Sequence, residues 1–175
     1  MGGRLDGRAL GKESELAVEY LFKNGAMMRA ATLEDLAELF VMVQDLYTEP
    51  GDAPRELAPL RRTLEEAARH PDKLACGIIS YDQQVIGYCL VCFFWSHEFG
   101  GNIVEIDEIY LKRPFRCQGM GRELLAALPE LYPEAVGLTL CTNIGNQRAA
   151  ALYRAAGFEP SPFWHMLKIF AGRQS

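Results

Sequence analysis

The order in which apolar patterns change period along this sequence predicts an α/β fold: a mixed, mostly antiparallel central sheet with helices on both faces. Three features carry that expectation. Two apolar runs, 75–81 and 85–95, flank a short polar turn as the strands of a β-hairpin do. A third extended run, 103–111, leads into a Gly-rich turn and a helical pattern, and a fourth, 136–142, leads into another helix. Strands therefore interleave with helices in the second half, the arrangement that builds a layered α/β domain.

Each element can be justified in turn. Residues 28–31 read as a short strand. Thr32 followed by Asp35 is a T-x-x-D capping signal, and Leu33, Leu36, Leu39, Phe40, Val43 and Tyr47 then recur at helical spacing. Two prolines and a Gly-Asp pair make 48–58 a loop. A second amphipathic helix follows through Leu60, Leu64, Ala67 and Ala68, and His70-Pro71 ends it. The hairpin turns at Asp82-Gln83-Gln84, and 96–102, with Gly100-Gly101, turn into the strand 103–111. Pro129 then forbids a backbone bond to the Leu125 carbonyl, so the helix carrying Leu124, Leu125 and Leu128 must kink or finish nearby. The helix 146–156 closes at Gly157, and 163–169 reads as a last strand, giving the order β-α-α-β-β-β-α-β-α-β. One domain over 28–170 is expected, with a tail at 171–175. Residues 1–27 read as an N-terminal extension or leader, first Gly- and charge-rich, then mildly helical through Leu16, Tyr20 and Leu21; a docking helix is the alternative.

Bulk properties narrow the function. A chain of 175 residues suffices for one sizeable core. Its net charge of −5 argues against nucleic acid as the main partner, because phosphate binding leaves a basic footprint. No apolar run is long enough to span a membrane, and no signal-like apolar segment opens the chain. The five cysteines read as reduced thiols of a cytoplasmic protein. Cys89 and Cys92 form a C-x-x-C, but three positions apart on a strand they face opposite ways and cannot share a metal. No metal site is expected, and Cys117 is the thiol expected to react most readily.

Two motifs carry the chemistry. In Asn146-Gln-Arg-Ala149-Ala-Ala-Leu-Tyr153-Arg-Ala-Ala-Gly157-Phe158, Tyr153 and Gly157 lie within about 20° of Asn146 around a helix. A shallow stripe with an amide and a phenol suits a ligand lying alongside; a small-residue packing face is the other reading. Upstream, Arg116-Cys-Gln-Gly119-Met-Gly121 joins an extended run to a helix, so backbone amides and the helix N-terminus can meet an anion, with Arg116 and Arg122 beside it. The spacing matches no P-loop, and Leu124 stands where a dinucleotide fingerprint needs its third Gly.

Together, R-x-x-G-x-G at 116–121 and N-x-x-A-x-x-x-Y-x-x-x-G-F at 146–158 resemble the GNAT superfamily of acetyl-CoA-dependent N-acetyltransferases. The resemblance covers about 28–168 in element order and is sharp over 104–158. It implies acetyl-CoA as co-substrate. Ile109, Tyr110 and Leu111 would line the thioester, the Leu111 amide acting as oxyanion donor. Arg116, Cys117, Gln118, Gly119, Met120, Gly121 and Arg122 would hold the pyrophosphate, and Asn146 and Ala149 the pantetheine arm. Tyr153 would protonate the departing thiolate. The general base falls at Asp107 in some members and Glu105 in others, with Asp107 favoured here.

Regular alternation sets Glu105 and Asp107 on one face and Glu108 with Tyr110 on the other, while a bulge would promote Glu108. The expected acceptor is a primary amine of a small molecule or peptide, attacked directly in a ternary complex. Its cleft is expected at 47–58, 95–102 and 163–165, where Glu49, Asp52, Glu56 and Glu98 favour a cationic acceptor and His97 and His165 are candidate linings. A homodimer is left open. The competing reading is a non-enzymatic acyl-CoA sensor or interaction module.

Overall fold

The computed structural model describes residues 8–10, 19–47, 55–162 and 165–169. Seven strands form one sheet in chain order: β1 (Arg8–Leu10), β2 (Glu19–Leu21), β3 (Met27–Ala30), β4 (Leu74–Tyr81), β5 (Gln84–Ser96), β6 (Gly101–Leu111) and β7 (Ala135–Leu140). Neighbours are antiparallel except β6 and β7, which are parallel and joined by a helical crossover. The mixed, mostly antiparallel sheet matches the architecture predicted from the sequence.

Helices α1 (Leu36–Leu46) and α2 (Leu57–Arg69) cover one face. Leu36, Leu39, Met42, Val43 and Leu64 pack there on Cys76, Ile78, Tyr88, Leu90 and Tyr110. Helix α3 (Met120–Leu131) covers the other face, setting Leu124, Leu125 and Leu128 on Ile86, Cys89, Val91, Val104 and Ile106. The short helix α4 (Gln147–Ala155) lies on the same side through Leu152 and Tyr153. Cys89 and Cys92 accordingly face opposite cores.

Local chemistry explains most boundaries. Thr32 and Asp35 make the expected capping box, with the Thr32 amide donating to Asp35 Oδ2 at 2.8 Å. It starts a 3-10 turn (Leu33–Asp35) that runs into α1, which leaves Leu33 exposed and brings Met42 into the core instead. Asp82 and Gln83 both take positive φ, 47° and 61°, the two-residue hairpin turn that suits twisted strands. Helix α3 continues only to Leu131, two residues beyond Pro129.

Two expectations are corrected. The segment read as mildly helical contains strand β2 over Glu19–Leu21; Leu16 lies outside the described residues. Tyr20 and Phe22 alternate onto one face and are buried, and Asn24-Gly25 turns the chain into β3, with Gly25 at φ 88°. The Phe22 amide closes that turn on the Ala26 carbonyl at 2.8 Å. An Asn-Gly turn between apolar pairs is a hairpin signal, and the ladder to β3 outweighs a weak local helix preference. Secondly, 165–169 forms no strand, and Met166, Leu167 and Ile169 are exposed; 163–164 lie outside the described residues.

Two expectations can be measured. Phe22 is 1% exposed, so Phe22→Ala should lower the unfolding free energy by about 3–5 kcal/mol in a urea titration. Arg29 forks onto Asp35 at 2.6 and 2.8 Å, and this contact holds the Asp35 carboxyl below its ordinary range against the opposing effect of burial. A folded value below the unfolded one means stability fully present above about pH 4 and lost as pH falls through the folded value. Urea titrations at stepped pH should show that acid-side loss, and Asp35→Asn should remove it.

Candidate active site

Strands β6 and β7 pair only from Asn102↔Ala135 to Ile106↔Leu140, whereas β6 continues along β5 as far as Leu111. Beyond Ile106 this edge of β6 has no strand paired to it among the described residues, and the unpaired stretch forms a wedge in the ladder. The closed end is packed tightly: a Cβ on Gly101 would lie 2.3 Å from Val136 Cγ1.

A bulge sits at the mouth of this wedge. Leu90 faces Glu108 and Val91 faces Ile106, so Asp107 is the extra residue on β6. The regular alternation expected from the sequence is corrected accordingly. Glu105, opposite Cys92, and Glu108, opposite Leu90, share the α1/α2 face with Tyr110, while Ile109 and Leu111 pack toward α3. The Lys112 amide donates to the Ile86 carbonyl at 2.8 Å. Strand alternation then points the Glu108 and Tyr110 amides at β5, and the Ile109 and Leu111 amides into the wedge.

The Gly-rich turn closes the end of the wedge beyond Leu111. A 3-10 turn (Arg113–Phe115) leads to Cys117 at φ 63° and Gly119 at φ 87°, the cap of α3. The Arg122 and Glu123 amides donate to the Gly119 carbonyl, so the first amides of α3, those of Met120 and Gly121, have no intrahelical acceptor. Gly121 lets α4 approach: an added Cβ would lie 3.1 Å from Leu152 Cδ2. Arg116 turns back, donating from Nε to the Leu111 carbonyl at 2.6 Å with its guanidinium 5.2 Å from the Tyr110 ring centre. Gln118 donates to the Pro114 carbonyl at 2.8 Å. Arg148, which the sequence reading passed over, donates to Cys117 Sγ at 2.7 Å from the first turn of α4.

In α4 the motif residues begin and end the helix. Asn146 caps it, its side chain accepting the Ala149 amide at 3.0 Å. Gly157, at φ 91°, stops it: the Gly157 amide donates to the Arg154 carbonyl and the Phe158 amide to the Tyr153 carbonyl, both at 3.0 Å. The Phe158 ring then packs edge-on to Tyr153, with centroids 5.9 Å apart. Tyr153 is thus held half-buried, and burial raises the pKa of its phenol, with the Cys89 thiol adding slightly. It is protonated at neutral pH and can donate.

On the other face, Tyr47 and Tyr88 both donate to Glu108, at 2.6 and 2.7 Å to its two oxygens. Tyr110 donates to Asp45 at 2.9 Å, and the Arg55 guanidinium lies 3.8 Å from the Tyr47 ring centre. Asp107 is exposed. Partial withdrawal from water, then the charges of Glu108 and Glu105, raises its carboxyl above the ordinary range. Glu56, His97, Glu98 and His165 are exposed, while Glu49, Asp52 and Phe163 lie outside the described residues. Tyr88, Asp45 and Arg55 had no local signal, because their partners are distant in sequence. No three His, Cys, Asp or Glu side chains among the described residues gather as a metal site. No described helix is long and apolar enough to cross a membrane.

Comparison with known proteins gives the family and the fold. The acetyltransferase (GNAT) family model matches residues 40–158, more than half of the chain, and the protein belongs to that family. Its fold is similar to that of a possible acetyltransferase from Clostridium difficile 630, at TM-score 0.70 and 17% identity over 83% of this chain and 98% of that one. The ribosomal-protein-alanine N-acetyltransferase of Brucella melitensis biovar Abortus 2308 aligns at TM-score 0.65 and 14% identity, covering 83% and 100%. The aminoglycoside N-acetyltransferase AAC(6')-Iy, in complex with the bisubstrate analog CoA-S-monomethyl-acetylneamine, aligns at 0.64 and 20%, covering 83% and 98%.

The turn makes its own prediction. Nothing lies within 4 Å of a Cβ added at Gly119, so Gly119→Ala should cost only its left-handed backbone strain, about 1–2 kcal/mol by chemical denaturation.

Proposed function

We propose that this protein transfers an acetyl group from acetyl-CoA to a primary amine of a small molecule or peptide, by direct attack in a ternary complex. The observation that carries the reading is the stretch of β6 beyond Ile106, where β6 outruns its pairing with β7. The Gly turn, α4 and Tyr153 lie on one side of it, and Glu105, Glu108 and the end of α1 on the other. A thioester entering beside α4 and an amine entering beside α1 would meet within it, as direct attack requires.

The chain's own groups then divide the work. The amides of Gln118, Gly119, Met120 and Gly121 receive the diphosphate at the α3 N-terminus, aided by Arg116 and Arg122. The Leu111 amide donates to the carbonyl oxygen as negative charge develops. Aliphatic amines have a pKa near ~10 and must lose a proton to react. Asp107 is best placed to accept it, being exposed and of raised basicity; Glu105 is second, and Glu108 is already bound by two phenols. Tyr153 returns a proton to the departing thiolate. The similar structures include an aminoglycoside N-acetyltransferase and a ribosomal-protein-alanine N-acetyltransferase, and both classes of acceptor fit the proposal. A cytoplasmic location accords with the cysteines, all five of which are free.

Free-thiol release from acetyl-CoA, followed across polyamines, aminoglycosides, amino acids and peptides, tests the reading. At least one amine should raise the rate above background hydrolysis. Tyr153→Phe should lower kcat by roughly 10²-fold while the Kd for CoA stays within a few-fold. CoA binding without thiol release for any acceptor would favour the sensor reading, and no CoA binding at millimolar concentration would reject both.

A further inference from the structure

Glu108 is the carboxylate of β6 that the proposed chemistry leaves without a task, yet it has the most constrained surroundings. One oxygen accepts Tyr47 Oη from the end of α1 and the other accepts Tyr88 Oη from β5. Tyr88 is 1% exposed, so its hydroxyl has little freedom to find another partner. The pair Leu90↔Glu108 is also the last in-register pair before the extra residue, Asp107. A bulge leaves its additional residue outside the ladder, so its direction depends on what fixes the flanking residues.

We propose that Glu108 is a positioning residue: clamped between Tyr47 and Tyr88, its carboxylate pins the bulge of β6 to α1 and so turns Asp107 toward the acceptor side of the wedge. This deepens the proposed acetyl transfer and rests on it for the role of Asp107, though the clamp itself is independent of turnover. Each oxygen of the Glu108 carboxylate accepts one phenol, so the group is held from both ends and serves as an anchor. Burial, then the bond to Glu108, holds the Tyr47 phenol protonated well above its ordinary pKa; for Tyr88 burial leads, followed by the charge of Glu108 and that same bond.

The electrostatic consequence is specific. Among the described residues, the charged and titratable groups around Asp107 are Glu105 and Glu108 on its own strand, Cys92 on β5 with Lys73 near it, and Tyr47 with Arg55 from the α1 side. Among the two carboxylates that raise its basicity, Glu108 acts more strongly than Glu105. Removing the charge of Glu108 should therefore lower the titration midpoint of Asp107, and the tyrosine variants, which keep that charge, isolate the effect of the clamp.

The test uses the whole chain with 13C-labelled aspartate, whose carboxyl resonances are followed against pH in wild type, Glu108→Gln, Tyr88→Phe and Tyr47→Phe, with Asp107→Asn to assign the signal. The Asp107 midpoint should fall in Glu108→Gln. Either tyrosine variant, which leaves the charge but loosens the clamp, should lower kcat by roughly 10- to 100-fold with the Kd for CoA little changed. An Asp107 midpoint unmoved by Glu108→Gln would overturn the proposal. So would wild-type kcat in both tyrosine variants, or an Asp107→Asn enzyme that stays active while Glu108→Gln falls to background. Because the midpoint and CoA affinity are read without turnover, failure of the acetyl-transfer reading would be seen separately, as absent thiol release with an intact titration shift.

Discussion

A parallel strand pair that separates partway along its length leaves backbone groups on the parting edge without a ladder partner, and such groups must find another. In this protein that condition arises on β6 beyond Ile106, and much of the site geometry follows from it. The amides of Ile109 and Leu111 point into the gap because alternate amides are taken by β5. The Leu111 carbonyl, on the same edge, is taken by Arg116. The gap stays narrow at its closed end because Gly101 and Gly137 let β6 and β7 approach, an added Cβ on Gly137 meeting Ile103 Cδ1 at 3.2 Å. The unpaired edge is thus the result of packing at one end and of an unfinished ladder at the other.

The two faces of the sheet are chemically unlike, which gives the gap its direction. Toward α3 and α4 it is lined by a left-handed Gly turn, helix amides and a protonated phenol. Toward α1 and α2 it carries three carboxylates within four positions of β6, two tyrosines bound to one of them, and the Arg55–Tyr47 stack. Backbone amides and a phenol on one side and carboxylates on the other are the contrast on which the proposed acetyl transfer rests.

How much of this was legible before folding is best seen residue by residue. The stripe from Asn146 to Phe158 carried two messages at once. Asn146 and Gly157-Phe158 are also the start and stop signals of a helix, one accepting an amide at 3.0 Å and the others closing a left-handed cap over Tyr153. A motif can therefore be sharp in sequence because it builds the element that presents it. The Gly turn was legible for a similar reason, since positive φ at Gly119 is a local requirement. Asn24-Gly25 was equally local, but a weak helical pattern in the preceding residues obscured the hairpin. The expected last strand failed among 165–169 because alternation supplies a face and not a neighbouring ladder.

Amino-acid order fixed what depends on a few neighbouring residues: caps, turns, the sheet-and-helix succession, and the left-handed glycine bend that opens α3. Tertiary structure alone decided which carboxylate is tied by two phenols and which is left exposed. That choice depends on an extra residue counted against the facing strand, and on a tyrosine 61 positions away that closes on Glu108. Cross-strand register and long-range hydrogen bonds are properties of paired segments, and neither segment carries them before the two have met.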